Sequence, residues 1–327
     1  MIAFLDDDHV LRMIQGLLTA RTSEDWARVT AFFAPDVVDV AGLRRLRAGL
    51  EAGPGETAVL VLRRGRVTRE LIESSPGLRL VQRLGRRQDG IDLEASREHG
   101  VEVSCLPRPS LVRTAEHTIL LMLALTKRLI VADREVRSGV SRPGAGYNWA
   151  GLTGLGGLSG RTLGIVGLGE VGGLVAERAR AFGMRVIYHN RTGLSGAYRS
   201  LPDLLAEADV VSLHAKSATP VIGRAEIAAM RPGALLVNTS RGRLIDEDAL
   251  YDALVTGRLG GAGLDVHQVE PRPPGDRFCA LDNVVLTPHI AGGSRLDVLD
   301  EVALMFDNIR HALAANPPPH GRVGGTG

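Results

Sequence analysis

Cysteine is nearly absent from this 327-residue sequence. Cys105 and Cys279 are the only two and share no CxxC spacing, which excludes a disulfide scaffold and a zinc cluster, so no metal is expected. Lysine is as scarce: Lys127 and Lys216 are the only two among 39 basic side chains. Such a bias reads as GC-rich coding, so a single arginine carries little information. A net charge of +2 is too small to make nucleic acid the main partner, and no basic recognition motif occurs. Long apolar runs are also missing. Ile119 to Leu125, the longest near the middle, cannot span a bilayer. The start, Met-Ile-Ala-Phe-Leu-Asp-Asp-Asp, lacks a basic n-region. The expectation is a soluble, cytoplasmic protein with no membrane partner. What is present is 44% apolar and 23% charged residue, enough for a sizeable core, in a length that suits two domains of roughly 150 residues each.

Strand and helix patterns alternate along the chain. Ile2 to Leu5 reads as a strand, and Asp8 to Ala20 and Asp25 to Phe33 have helical spacing. Ala58 to Leu62 is an apolar run typical of a buried strand. Thr68 to Ser74 predicts a short helix capped by Thr68. Leu78 to Gln82 predicts a strand, Ile91 to His99 a helix and Val101 to Cys105 a strand. Thr114 to Ile130 predicts one long apolar helix. A glycine-rich connector, Val131 to Ser159, follows and holds Tyr147 and Trp149. A second array has strands at Thr162 to Val166, Arg185 to Tyr188, Val210 to Leu213, Leu235 to Asn238, Gly263 to Val266 and Val284 to Leu286. A last helix covers Arg295 to Ala314, and the Pro/Gly tail after Asn316 is either docked or frayed. Alternating strands and helices predict parallel sheets in an α/β fold. If the last helix crosses back to the first array, the first domain is discontinuous.

The second array opens with a GxGxxG at Gly167, Gly169 and Gly172. Its context makes it specific: an apolar strand precedes it and a helix, Val171 to Phe182, follows. Gly167 allows a tight turn, Gly169 lets the backbone approach a pyrophosphate and Gly172 lets helix and strand pack closely. Glu170 and Val171 complete the phosphate-binding turn at the helix N-terminus. The next strand of such a fold ends in an acid that binds the ribose diol. Here Asn190 stands there, followed by Arg191 and Thr192, with no acid. Losing the acid removes the charge that repels a 2′-phosphate, and Arg191 offers a fork to bind one. The expected cofactor is NADP, with NAD as the alternative if Arg191 is only a surface residue.

Three further stretches fall at predicted strand ends. They are Asn238-Thr-Ser-Arg-Gly, Gly263-Leu-Asp-Val before Glu270-Pro271, and Leu286-Thr-Pro-His-Ile-Ala-Gly. With the glycine turn, and with Ala115-Glu-His-Thr at an interdomain helix start, the chain resembles the D-isomer-specific 2-hydroxyacid dehydrogenase family from about Leu78 to Asn316. The resemblance implies a Rossmann-type doubly wound dinucleotide-binding domain over residues 109–292. It also implies a smaller flavodoxin-like α/β substrate domain from residues 1–108 and 293–327, and a homodimer. Carried over, Arg241 matches the substrate-binding arginine, Glu270 the carboxylate that supports the histidine, and His289 the general acid/base. Asp265 would contact the nicotinamide end, and His214, Thr239 and Ser240 would lie along the cofactor. The residue types suit the chemistry. When hydride adds to a 2-keto carbon, charge develops on the oxygen and a nearby acid must protonate it. Histidine is poised for that near neutral pH. Glu270 favours imidazolium, and Arg241 can grip a carboxylate in a fork.

The sequence departs from the family at the first domain's substrate loop, Leu84-Gly-Arg-Arg-Gln-Asp-Gly-Ile-Asp. Gly85 is kept, but Arg87 stands where a second glycine is common. Arg86 and Arg87 either add an anion contact, suiting a phosphorylated or phosphonate-bearing acid, or point to solvent. The loop after His214 is shorter than usual, with Lys216 either near a cofactor phosphate or solvated. The default substrate by resemblance is glyoxylate or hydroxypyruvate. The alternative from another class is a dinucleotide-sensing binding protein on the same fold.

Overall fold

A computed structural model of the chain describes residues 1–6, 9–32, 40–48, 50, 56–139, 154–190, 196–293 and 297–324. Tyr147, Trp149, Arg191, Thr192 and Arg295, on which expectations were placed, lie outside these residues. The chain divides into two compact units, Met1–Ser110 with Ser294–Gly327, and Leu111–Gly293.

In the first unit, strands β1 (Ile2–Phe4), β2 (Val59–Leu62), β3 (Leu80–Leu84) and β4 (Glu102–Leu106) pair in parallel, in the order β1-β2-β3-β4. The helices are α1 (His9–Thr19), α2 (Ser23–Phe32), α3 (Val40–Arg47), α4 (Arg69–Glu73) and α5 (Leu93–Glu98), and a last helix returns from the end of the chain. Side chains alternate across a strand. Val59 and Val61 therefore join Leu11, Ile14, Leu17, Phe306 and Ile309 on one face, while Leu60 and Leu62 join Ile72 and Ala95 on the other. Both faces are covered, which is why β2 is an unbroken apolar run. Thr68 caps α4 as expected, accepting from Leu71 N. The tail is docked: Cys105 N donates to Gly321 O and Val323 N to Val103 O, both at 2.8 Å.

The second unit holds α6 (Pro109–Thr126, its first two residues in the other unit), α7 (Leu129–Ser138), β5 (Thr162–Val166), α8 (Glu170–Ala181), β6 (Arg185–His189), α9 (Leu201–Glu207), β7 (Val210–Leu213), α10 (Arg224–Ala229), β8 (Leu235–Asn238), α11 (Glu247–Val255), β9 (Gly261–Leu264) and β10 (Val284–Leu286). The helix returning to the first unit is α12 (Asp297–Leu313). The sheet is parallel, in the order β10-β9-β8-β7-β5-β6. Side chains of α6 and α8 pack on one face, and those of α9, α10 and α11 on the other. This is a doubly wound Rossmann-type sheet. Because β6 and β7 flank β5 on opposite sides, the chain reverses direction across the sheet between β5 and β7. The carboxyl ends of those two strands border the crevice where such sheets bind ligands.

Two expectations need correction. The long helix is two helices: α6 ends at Thr126, and Arg128 takes a left-handed conformation with φ 50° before α7. The first eight residues of the expected connector, Val131 to Ser138, are therefore helical. The strand read at Gly263 to Val266 lies two residues earlier, because Gly261 and Ala262 pair with the neighbouring strands despite their small side chains. That shift moves Asp265 out of the strand and into the loop beyond it.

Candidate active site

The ligand cradle begins where β5 runs through Gly167-Leu168-Gly169 into α8. Gly167 has φ 102°, and a Cβ there would lie 2.7 Å from the His214 carbonyl carbon, so the ends of β5 and β7 touch backbone to backbone. A Cβ at Gly172 would lie 2.3 Å from the Gly167 oxygen. Gly169 faces open space and caps α8 without a side-chain acceptor. The positive end of this helix thus meets the crevice, a fit for a dinucleotide pyrophosphate. Glu170 and Val171 form the first turn. Asn190 follows β6, and its Oδ1 accepts from Leu168 N at 2.7 Å. The carboxamide expected at the ribose therefore also braces the glycine turn. His214, half-buried after β7, pairs its Nε2 with Ser212 Oγ at 2.9 Å, and desolvation holds its pKa down at about 4. It is neutral at physiological pH. Lys216 is exposed in the loop beyond.

The structure brings Glu270 and His289 together. His289 Nδ1 donates to Glu270 Oε2 at 2.8 Å, with both side chains open to solvent. The bond fixes the ring and leaves Nε2 for another partner. Glu270 Oε1 accepts the backbone N–H of His267 at 3.0 Å. Partial desolvation raises the pKa of Glu270, but the bonds from His289 and His267 outweigh it and hold the carboxyl below its ordinary range. His289 itself has φ 56°, a left-handed conformation unusual for a residue with a side chain, so its loop must be held from elsewhere.

Asp265 holds it. The side chain is fully buried. Its carboxylate accepts from Thr287 Oγ1 at 2.6 Å and from the N–H groups of Ile290 and Ala291 at 2.9 Å each. Its carbonyl accepts from His289 N at 2.7 Å. From α6, His117 Nε2 reaches Thr287 Oγ1 at 2.9 Å. The threonine's proton is committed to Asp265, so the histidine is the donor there.

Arg241 follows β8 in extended backbone, with its side chain exposed. Asn238 Nδ2 donates to the Arg241 carbonyl at 2.9 Å, which shapes the turn. A Cβ on Gly242 would lie 2.0 Å from the His267 carbonyl carbon, so the Arg241 turn is seated directly on the loop that leads to Glu270. Thr239 and Ser240 spend their hydroxyls inside the protein. Thr239 Oγ1 lies 2.9 Å from Thr118 Oγ1, and Ser240 Oγ donates to Ala215 O at 2.8 Å. In the first unit, Gly85 is buried while Arg86 and Arg87 are exposed. Arg87 closes its fork on Asp89, Nε to Oδ1 at 2.6 Å and Nη2 to Oδ2 at 2.7 Å. An acid two residues away thus engages the N–H edge on which the expected extra anion contact depends. The residues that sequence reasoning missed, His117, His267, Arg272 and Thr287, act through tertiary hydrogen bonds. His117 and Thr287 lie inside stretches already singled out in the sequence, whereas nothing local marks His267 or Arg272.

Residues 119–291 match the family model described as D-isomer specific 2-hydroxyacid dehydrogenase, NAD binding domain. A glyoxylate reductase of Korarchaeum cryptofilum is 39% identical over 77% of this chain and 78% of its own length. A hydroxypyruvate reductase of Thermotoga maritima is 39% identical over 73% of this chain and 79% of its own. Among solved structures, a glyoxylate reductase from Paecilomyes thermophila aligns with TM-score 0.57 at 29% identity, covering 99% of this chain and 98% of that one.

Proposed function

The chain belongs to the D-isomer specific 2-hydroxyacid dehydrogenase family, and we propose that it reduces a small 2-keto acid of the glyoxylate or hydroxypyruvate type to the D-2-hydroxy acid. It is an NAD(P)-dependent oxidoreductase. The observation that carries the proposal is the His289–Glu270 pair at 2.8 Å, beyond the carboxyl ends of neighbouring strands in a dinucleotide-type sheet.

When bound, the nicotinamide cofactor supplies the hydride. The glycine turn and the α8 N-terminus hold its pyrophosphate, and Asn190 meets its ribose. With no acid at that position, the preference is for NADP. Arg241 binds the substrate carboxylate through its guanidinium fork. His289 Nε2 holds the proton that passes to the keto oxygen as the carbonyl carbon is reduced. Glu270 keeps Nδ1 protonated and balances the imidazolium charge until that transfer. Asp265 keeps the histidine's loop in place. The dianionic-substrate alternative has no support from Arg87, whose fork is on Asp89. A homodimer through the exposed Leu120, Leu129 and Ile130 of α6 and α7 belongs to the same proposal, and sedimentation velocity tests it.

The test is a panel of 2-keto acids assayed with NADPH and with NADH, alongside His289→Ala. Turnover of short keto acids is expected, and the variant should lose about a hundredfold or more in kcat while still binding cofactor. Wild-type turnover by the variant would remove His289 from the reaction.

A further inference from the structure

We propose that His267 is a positioning residue for the reaction: it joins the segment carrying Glu270 to the segment carrying His289 and sets the contact between them. The inference rests on the assignment of those two residues as the acid/base pair.

His267 is 8% exposed and makes three bonds. Its backbone N–H donates to Glu270 Oε1 at 3.0 Å. Its Nε2 lies 3.0 Å from the carbonyl oxygen of Thr287, two residues before His289. Its Nδ1 lies 3.1 Å from Arg272 Nε. A carbonyl can only accept and a guanidinium N–H can only donate. The ring is therefore held as the neutral tautomer with its proton on Nε2. One residue grips both halves of the pair, Glu270 through its main chain and the His289 loop through its ring.

The anchor behind it is rigid. Arg272, with 9% of its side chain exposed, places Nη2 at 2.7 Å from Glu247 Oε1 and Nη1 at 2.8 Å from Asp276 Oδ1. Its guanidinium also lies over the Phe278 ring, 4.9 Å from the centroid. Glu247 begins α11, so the ring of His267 is tied to a packed helix through one arginine. The left-handed backbone at His289 makes such a tie necessary, because relaxation of that loop toward ordinary angles would swing the imidazole away from Glu270.

A glutamine presents an acceptor and a donor about as far apart as the two ring nitrogens, so His267→Gln can keep both bonds, whereas His267→Leu keeps neither. Both variants are assayed for reduction of glyoxylate by NADPH, with NADPH affinity from fluorescence titration and His289→Ala as a control. His267→Leu should lose on the order of tenfold to a hundredfold in kcat, the scale of a misplaced catalytic group. KM for the keto acid and affinity for NADPH should stay near wild type, and His267→Gln should recover most of the loss. A wild-type kcat in His267→Leu, or a His267→Gln that binds NADPH normally and is as slow as the leucine variant, overturns the proposal. If His267→Leu fails to fold, the rate of His267→Gln decides alone. An active His289→Ala brings down the acid/base assignment and this inference together, whereas an inactive His289→Ala beside an unimpaired His267→Leu brings down this inference only.

Discussion

Glu270 Oε2 accepts a hydrogen bond from His289 Nδ1 at 2.8 Å, across nineteen residues and the strand that separates them. Glu270→Gln keeps an acceptor for Nδ1 and removes only the charge. The carboxylate stabilises imidazolium, so without it the proton leaves more easily. Reductive kcat should fall by about tenfold or more, and its decline on the alkaline side should begin at a lower pH. On the acid side the sign is opposite. Glu270 is held below the ordinary carboxylate range, so the pair is intact at neutral pH and is lost only as pH falls through that lowered value. A pH–rate profile of the variant superimposable on wild type would mean that the charge does no work there.

Asp265→Asn tests the support under the histidine loop. The carboxylate accepts three bonds with no exposed surface. An amide can turn only one oxygen to these donors, so at least one N–H or O–H faces another donor. An unsatisfied buried group costs about 1–3 kcal/mol. Urea denaturation should show a loss of that size, and kcat should drop while NADPH affinity holds, since the glycine turn lies after a different strand. A variant as stable and as fast as wild type would end the assignment of Asp265 as the loop's anchor.

Asn190→Asp addresses cofactor choice. Its oxygen can still accept from Leu168 N, the bond that braces the glycine turn, so the fold of the turn is kept. The new charge repels a 2′-phosphate and accepts from a free ribose diol. Titration of both cofactors should show NADPH weakened by about tenfold, roughly 1.4 kcal/mol, and NADH tightened. An unchanged ratio would put the selecting group elsewhere than at Asn190.

Most of the dinucleotide sheet was legible because its signals are local. Parallel strands buried on both faces are continuous apolar runs, and glycine at 167 and 172 reports a backbone constraint that no other residue meets. The strand-end positions of Arg241, Glu270 and His289 followed from those runs. Asp265 lies in the expected loop, and its hydrogen bonds to Thr287, Ile290 and Ala291 have no sequence signal. An acid that holds three protein donors and an acid that holds a ligand look the same in sequence. The bonds of Thr239 to Thr118 and of Ser240 to Ala215, and the closing of the Arg87 fork on Asp89, are equally invisible in sequence. The α6–α7 break was hidden because Lys127 and Arg128 are good helix formers, and nothing in their type announces a left-handed residue. Helix α3 escaped notice because it is short and its apolar Leu43 and Leu46 stand among three arginines, Arg44, Arg45 and Arg47.

His214 gives a stability prediction with a definite sign. Burial lowers its pKa from 6.5 to about 4, so the folded state resists a proton that the unfolded chain accepts. Above pH 6.5 neither state binds it, and the residue costs nothing. As pH falls below 6.5 the unfolded state gains protons first and stability declines, until both states are protonated below about pH 4. Between pH 7.5 and pH 5 the loss from this one group is about 2 kcal/mol. His214→Gln has no such proton to bind and can still bond Ser212 Oγ. Urea unfolding at the two pH values should therefore show a smaller pH dependence in the variant than in the wild type, by roughly that amount. Equal pH dependence in the two proteins would mean that the ring is as well solvated folded as unfolded, and that the crevice between β5 and β7 admits more water around His214 than its packing implies.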